Sequence, residues 1–303
     1  VKMNTKKSFS TYVINLDSAN LTVEEYLKNI LHYSSRKRQL LTRNKGIYLN
    51  RKTTFMKRQL KENDILRVMD FPDISYGVTP QNQKIDILYE DEHVIVLNKP
   101  PKLLTHPTGQ TTSNTLANYL AYYFQSKQIL STIRPMHRLD RDTSGCIVFA
   151  KSAHSQTLLT KQLEHQILKR FYLAITEGCP KEKKATINRP IAIHPSFPNQ
   201  RITSSTGETA ITHYEVIENL SETHSLLSLS LETGRTHQIR VHLASVGLPI
   251  LGDSMYGKKS NLISHQSLHA AKVQFNHIES NRKILVQAPM PKDMNELLIQ
   301  LRK

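Results

Sequence analysis

The sequence predicts an α+β protein built from two units, and three observations carry that reading. Short runs of strand formers, His93–Leu97, Cys146–Ala150 and Lys169–Ile175, are too short for free-standing helices. Between such runs lie segments with apolar residues at helical spacing, opened by the capping residues Thr22, Ser113 and Ser152. Residues 71–84 hold two prolines, a glycine and mostly polar side chains, and read as a linker between residues 12–70 and 85–303.

Composition narrows the partners. The 303 residues include 41 Lys and Arg against 25 Asp and Glu, a net charge of +16. Such a field favours polyanions, with nucleic acid the first candidate and a membrane surface the second. No long apolar run or basic amphipathic helix supports the membrane, so no membrane partner is expected. Cys146 and Cys179 are the two cysteines, and neither belongs to a Cys-x-x-Cys pair. The fourteen histidines are scattered, and His237 and His242 are five apart, poor spacing for one helical face. No metal is therefore expected. Without a dinucleotide glycine motif or a phosphate-binding loop, no cofactor is expected either. Val1–Ser10 is polar and basic, without the apolar stretch of a signal peptide, so a cytoplasmic protein is expected, acting as a monomer.

The N-terminal unit follows a polar, loose stretch over residues 1–11. Thr22-Val23-Glu24-Glu25 fits a capping box, and Tyr26, Leu27, Ile30 and Leu31 continue at helical spacing. A second helix over Ser35–Arg43 carries Arg36, Lys37, Arg38 and Arg43. Asn44-Lys45-Gly46 then turns the chain into the strand Ile47–Asn50. Residues 1–72 hold 15 basic and 6 acidic residues, net +9, so a quarter of the chain carries more than half of the charge. Read bare, these cations, with Arg51 and Lys52, could be no more than a solvated face. Their order resembles the S-four-like RNA-binding domain. The resemblance implies that the basic helix and its turn, Arg36, Lys37, Arg38, Arg43 and Lys45, lie against RNA phosphates. The sequence departs from that family at two glycines: Asn50-Arg51 stands for Asn-Gly, and Asn63-Asp64 for Gly-Asp.

The larger unit opens with Ile85–Tyr89, a Glu90-Asp91-Glu92 turn and the strand His93–Leu97, stopped by Asn98-Lys99-Pro100-Pro101. The Ser113 helix turns Leu116, Leu120, Tyr123 and Phe124 inward, and the Ser152 helix Leu159, Leu163 and Ile167. Gly207–Val216 alternates as a strand and can pair with Leu226–Leu231. Thr236 is a good N-cap for a helix over His237–Ala244.

The chemistry concentrates at residues 135–151. A carboxylate, Asp140, sits beside His137, Arg138 and Arg141 on a turn that feeds the strand Cys146–Ala150. The plain reading is a solvated turn with a weak local ion pair. His137-Arg138-Leu139-Asp140-x-x-Thr143-Ser144-Gly145, however, resembles the signature of the RluA-type pseudouridine synthases. The resemblance extends over about residues 85–290, through the run from Tyr89 to Pro107, Lys169–Ile175, and Gly234–Ala244. It implies a pseudouridine synthase fold, with a mixed, largely antiparallel central sheet flanked by helices. It implies an isomerase that acts on RNA, large-subunit ribosomal or transfer RNA, without a cofactor. By the same resemblance Asp140 is the catalytic carboxylate, Tyr172 the active-site tyrosine that stacks on uracil and helps to remove the carbon 5 proton, and Arg240 the active-site arginine. Arg138 takes the place of the flipped base, and His137, Arg235 and His106 line the RNA's path. A buried Arg240 needs a carboxylate partner, and Asp140 is the obvious one. Asp142, at a position the family leaves open, is the rival carboxylate. Three other classes remain to be weighed. A non-catalytic RNA-binding or ribosome-associated protein would need a degenerate centre, a nuclease would need metal-ligand spacing, and a kinase loop would need aspartate directly after Arg138, where Leu139 stands.

Overall fold

The computed structural model describes residues 8–71 and 73–302, which form two compact units, Val1–Ile74 and Ser75–Lys303. Residues 1–7 of the expected loose N-terminal stretch lie outside the described residues.

The first unit holds strands β1 (Phe9–Val13), β2 (Ile47–Leu49), β3 (Lys52–Thr53) and β4 (Ile65–Met69) and helices α1 (Val23–Glu25) and α2 (Ser35–Arg43). Residues expected to be loose therefore begin a strand. β1 is held by pairing with β4 across more than fifty residues, which no local pattern reveals. The sheet runs β1-β4-β2-β3, antiparallel throughout. The capping box forms: Thr22 Oγ1 accepts from Glu25 N at 3.2 Å, and Glu25 Oε2 accepts from Thr22 N at 2.7 Å. α1 passes into one wide turn, Tyr26–Ile30, that seats Leu27 in a core with Val23, Leu41, Leu60, Leu66 and Val68.

The two missing glycines are accounted for by backbone shape. Asn50 and Arg51 both have positive φ, 49° and 71°, the left-handed pair that a tight hairpin turn requires. Asn63 stands at φ 65°. The turns expected of glycine are thus made by asparagine, which tolerates that region, and by one arginine, which tolerates it poorly.

The second unit is built on a ten-stranded sheet. Its elements are β5 (Ile87–Glu90), β6 (Val94–Lys99), α3 (Leu116–Ser126), β7 (Arg134–Pro135), β8 (Ser144–Ala150), α4 (Ala153–Glu164), β9 (Lys169–Glu177), β10 (Lys184–Asn188), β11 (Ile191–Ile193), β12 (Arg201–Thr203), β13 (Ile211–Ser221), β14 (His224–Leu231), α5 (Gln238–Ser245), β15 (Leu268–Asn276), β16 (Lys283–Gln287) and α6 (Lys292–Leu301). The main path is β10-β13-β14-β9-β15-β8-β6-β5, with β16 on β15 and β7 on β8; β11 and β12 form a separate hairpin. Of these pairs, β15 with β8 is the parallel one; the others are antiparallel. The sheet is mixed and largely antiparallel, and the class is α+β.

β8 is buried at every position. Ile147 and Phe149 face one core with Leu116, Leu120 and Phe124 of α3 and Ile239 and Leu243 of α5. Cys146, Val148 and Ala150 face a second core with Leu159 of α4 and Phe275. A strand covered on both faces reads as a continuous apolar run, which is why no alternation marks it. Each fully buried Val, Ile or Phe there contributes about 1.5–3 kcal/mol.

Three local expectations are corrected. The cap of α3 is Thr115, which exchanges hydrogen bonds with Asn118, and not Ser113. α4 ends at Glu164, so Ile167 falls beyond it and is 38% exposed. Thr236 does not cap α5; its Oγ1 accepts from Arg138 Nη2 at 3.2 Å, and the N-cap is His237, at φ 58°.

Candidate active site

The loop from β7 to β8 is pinned before it presents any side chain. Lys99 is fully buried, and its Nζ donates to the carbonyls of Pro100, Leu103 and Arg141 at 2.9, 2.7 and 2.9 Å. Burial pushes the Lys99 pKa down to about 7, while Asp142 and Asp140 act the other way. The three carbonyls, one for each ammonium proton, also favour the charged form. Thr105 Oγ1 donates to Leu139 O at 3.1 Å, and Thr143 N to Asp140 O at 3.1 Å. Gln266 Nε2 holds Thr143 Oγ1 at 2.7 Å. Asp140 therefore sits on a rigid turn.

A cleft of about 760 Å³ opens in front of it. Asp140, Arg138, Tyr172, Arg235 and Arg240 all line it, on segments that are far apart in the chain. Arg240 Nη1 donates to Asp140 Oδ2 at 3.0 Å. Its Nε and Nη2 donate to Asp253 Oδ2 and Oδ1 at 2.7 and 2.9 Å. Arg240 is 6% exposed and Asp253 2%, whereas the Asp140 side chain is 24% exposed. Burial works against the Arg240 charge, but the hydrogen bonds and charges of Asp253 and Asp140 outweigh it, so its pKa lies above the usual arginine value. The guanidinium also lies over the Tyr256 ring, 5.0 Å from its centroid. Asp253 thus anchors the arginine from behind, and the arginine holds Asp140.

The remaining sequence candidates divide. Tyr172, 5% exposed on β9, keeps its hydroxyl protonated because burial raises its pKa. Arg138 is exposed at the cleft's edge, its guanidinium on Thr236. Arg235 pairs with Glu208 and donates to Thr209 O at 3.1 Å. That pair is exposed and weak, so it can be exchanged for a phosphate at small cost. His137 lines the cleft but is buried, its Nε2 accepting from Val148 N at 3.4 Å. Burial, then the Arg170 charge, pushes its pKa down to about 3, so it is neutral. His106 does not line the cleft; its Nδ1 lies 3.1 Å from Pro107 O. Asp142 is also outside, paired with Arg141 at 3.0 Å.

The cations of the first unit divide as well. Arg36, Arg43 and Lys45 are exposed. Lys37 packs over the Tyr33 ring, 3.5 Å from its centroid, and burial lowers its pKa. Arg38 donates to Tyr33 O at 2.6 Å and pairs with Glu24 at 3.7 Å.

Sequence reasoning missed Asp253, Tyr256 and His237 as site residues. Asp253 lies outside every motif read from the sequence, and the need of a buried Arg240 for carboxylate partners is the signal that points to it. Among the described residues Glu92, His93 and Glu279 bring three possible metal-ligand atoms within 4.8 Å of one another. They lie outside the cleft, and His93 Nε2 already meets Glu279 Oε1 at 3.0 Å.

The family model for RNA pseudouridylate synthases matches residues 93–245, the span that contributes Asp140, Tyr172 and Arg240. The chain belongs to that family. It is 49% identical to the uncharacterized RNA pseudouridine synthase YhcT of Bacillus subtilis, across 73% of this chain and 74% of the relative. It is 38% identical to the ribosomal large subunit pseudouridine synthase D of Xylella fastidiosa, across 78% of this chain and 75% of the relative. The human RNA pseudouridylate synthase domain containing 4 has the same fold, with a TM-score of 0.58 and 23% identity over 72% of this chain and 93% of that one. This synthase is therefore an enzyme, an isomerase of uridine in RNA. Among its described residues no helix is long and apolar enough to cross a membrane.

Proposed function

We propose that this synthase converts uridine to pseudouridine in large-subunit ribosomal RNA, with Asp140 as the catalytic carboxylate. The single observation that carries the choice of residue is the chain Asp253–Arg240–Asp140, in which a buried guanidinium, anchored on both sides, meets a carboxylate that still faces the cleft. The choice of RNA is supported by relatives named as ribosomal large subunit pseudouridine synthases, 38% identical in Xylella fastidiosa and 36% in Escherichia coli. Transfer RNA is the competing substrate.

The reaction breaks the bond from ribose carbon 1 to uracil nitrogen 1, turns the base, and forms a bond from carbon 1 to carbon 5. One proton moves from carbon 5 to nitrogen 1, so nothing is consumed. The base must first leave its stack, at a cost of a few kcal/mol. Arg138, exposed beside the carboxylate, fills the space it leaves. Tyr172, protonated and buried, offers its ring to the uracil; with its hydroxyl held protonated it does not itself take the carbon 5 proton. Asp140 acts at carbon 1 or on the base, and Arg240 fixes its position. Residues 12–70 serve as the RNA-binding unit, 71–84 as the linker and 85–303 as the catalytic unit, in a cytoplasmic protein.

The test is release of tritium from RNA labelled at uracil carbon 5, drawn from cells lacking the gene. Wild type releases tritium from the large-subunit fraction, and Asp140→Asn does not. Release from transfer RNA alone would overturn the substrate, and release by Asp140→Asn the choice of carboxylate.

A further inference from the structure

We propose that His237 is a positioning residue for Asp140, held in one tautomer by Tyr256, so that Asp140 Oδ2 faces Arg240 and His237 and Oδ1 is the oxygen presented to the substrate. The proposal rests on Asp140 being the catalytic carboxylate.

The argument begins with a backbone cost. His237 stands at φ 58°, in the left-handed region, where a residue other than glycine is strained. It occupies the N-cap of α5, yet its side chain makes no capping hydrogen bond. The strain does not serve the helix. It turns the imidazole into the cleft, with Nε2 4.0 Å from Asp140 Oδ2 and Nδ1 2.8 Å from Tyr256 Oη. Strain held at such a place is commonly part of a site's mechanism.

Hydrogen-bond bookkeeping then fixes the tautomer. The backbone N–H of Arg201, on β12, can only donate, and it donates to Tyr256 Oη at 2.8 Å. That bond uses Oη as an acceptor. Among the described residues the acceptor in reach of the phenolic proton is His237 Nδ1. Nδ1 therefore accepts, and in the neutral imidazole the proton sits on Nε2. Burial lowers the His237 pKa, with Asp140 opposing, so the neutral form prevails at pH 7. The charged groups around the ring are Asp140 from the β7–β8 loop, Arg240 from α5, Arg201 from β12 and Asp253. The N–H on Nε2 thus faces Oδ2 across a gap that a shift of about 1 Å turns into a hydrogen bond.

Oδ2 then has Arg240 Nη1 at 3.0 Å and His237 Nε2 at 4.0 Å. Among the described residues Oδ1 accepts no hydrogen bond, and it is free for the substrate. Tyr256 does two jobs: its ring lies under the Arg240 guanidinium, and its hydroxyl sets the histidine. Neither residue need touch RNA to matter.

The test is a double-mutant cycle in the full chain, read by steady-state tritium release over a range of RNA concentrations and by folding stability. Tyr256→Phe keeps the ring and removes the hydroxyl, and His237→Asn keeps a residue that tolerates the left-handed region but cannot reach Asp140. Each is expected to lower kcat roughly tenfold with KM for RNA within about twofold, and the two losses are not expected to add, because both act through one imidazole. Tyr256→Phe also moves the acid limb of the kcat profile to higher pH, since the hydroxyl that favours neutral His237 is gone. Additive losses, or wild-type kcat in both variants while Asp140→Asn is inactive, would overturn this proposal alone. Activity in Asp140→Asn would overturn the reading beneath it.

Discussion

Asp253 never faces the substrate, yet it decides whether Arg240 can stay where it is. A guanidinium 6% exposed and stripped of its bidentate partner keeps only its single hydrogen bond to Asp140, and breaking such a buried pair costs about 3–5 kcal/mol. Asp253→Ala is therefore expected to lower the thermal midpoint sharply and to abolish tritium release, as measured by calorimetry and the labelled-RNA assay. Asp142→Asn makes the contrast. Its partner Arg141 is 64% exposed in its side chain, and exposed pairs are worth about 0–1 kcal/mol, so stability and turnover are expected to stay near wild type. At this scale the sequence was partly legible. Asp140, Tyr172 and Arg240 could be named from motifs because each lies in a dense local run. Asp253 could not, because its role comes from Arg240 thirteen residues away, across a turn whose path the sequence does not state. His237 was legible as a helix start and not as a site residue, since a left-handed histidine carries no sequence mark.

The β2–β3 turn separates two residues that share one backbone shape. Asn50 and Arg51 are both left-handed, but only Asn50 is tied down by its side chain. Its Nδ2 donates to Asp64 Oδ1 at 2.7 Å, and its Oδ1 accepts from Ile65 N at 2.9 Å, which fastens the hairpin tip to β4. Asn50→Gly relieves strain but removes both hydrogen bonds, a net loss of about 1–2 kcal/mol. Arg51 is exposed, and Arg51→Gly relieves about 1–2 kcal/mol of strain against about 0.5–1 kcal/mol of added chain entropy. Equilibrium unfolding of the two variants should move the midpoint in opposite directions, down for Asn50→Gly and slightly up for Arg51→Gly. A fall in both would show that Arg51 is held by something other than its turn. Elements read from the sequence succeeded where propensity and capping agree, as at Thr22 and Ser152. They failed where pairing decides. β1 exists through β4, and the ends of β13 are set by β10 and β14. At Gly207, where the alternation suggested a strand, a Cβ would come within 2.7 Å of the Ile191 backbone. The glycine is there for close approach, and β13 begins later, at Ile211.

For the whole molecule, charge is the property that no single element explains. The net +16 is concentrated in the first unit, but its helix α2 does not present all of its cations. Arg38 is spent on Tyr33 O and Glu24, and Lys37 on the Tyr33 ring, so both hold the fold. Arg36, Arg43 and Lys45 face water. Composition could place a basic face here; only packing separates the cations that build it from those that can bind. Affinity that comes from phosphates depends on salt, with a slope of about 0.7 to 0.9 per contact. Replacing Arg36, Arg43 and Lys45 together by Ser should weaken RNA binding at low salt. It should also reduce the slope of log affinity against log salt by about 2 to 3, with the thermal midpoint unchanged. Arg38→Ala should do the reverse, lowering the midpoint and leaving the salt slope near wild type. Binding titrations across a salt series, run beside thermal melts, check both. If the triple variant keeps the wild-type slope, the first unit does not meet RNA through α2 and the turn after it, and the charge serves another part of the surface.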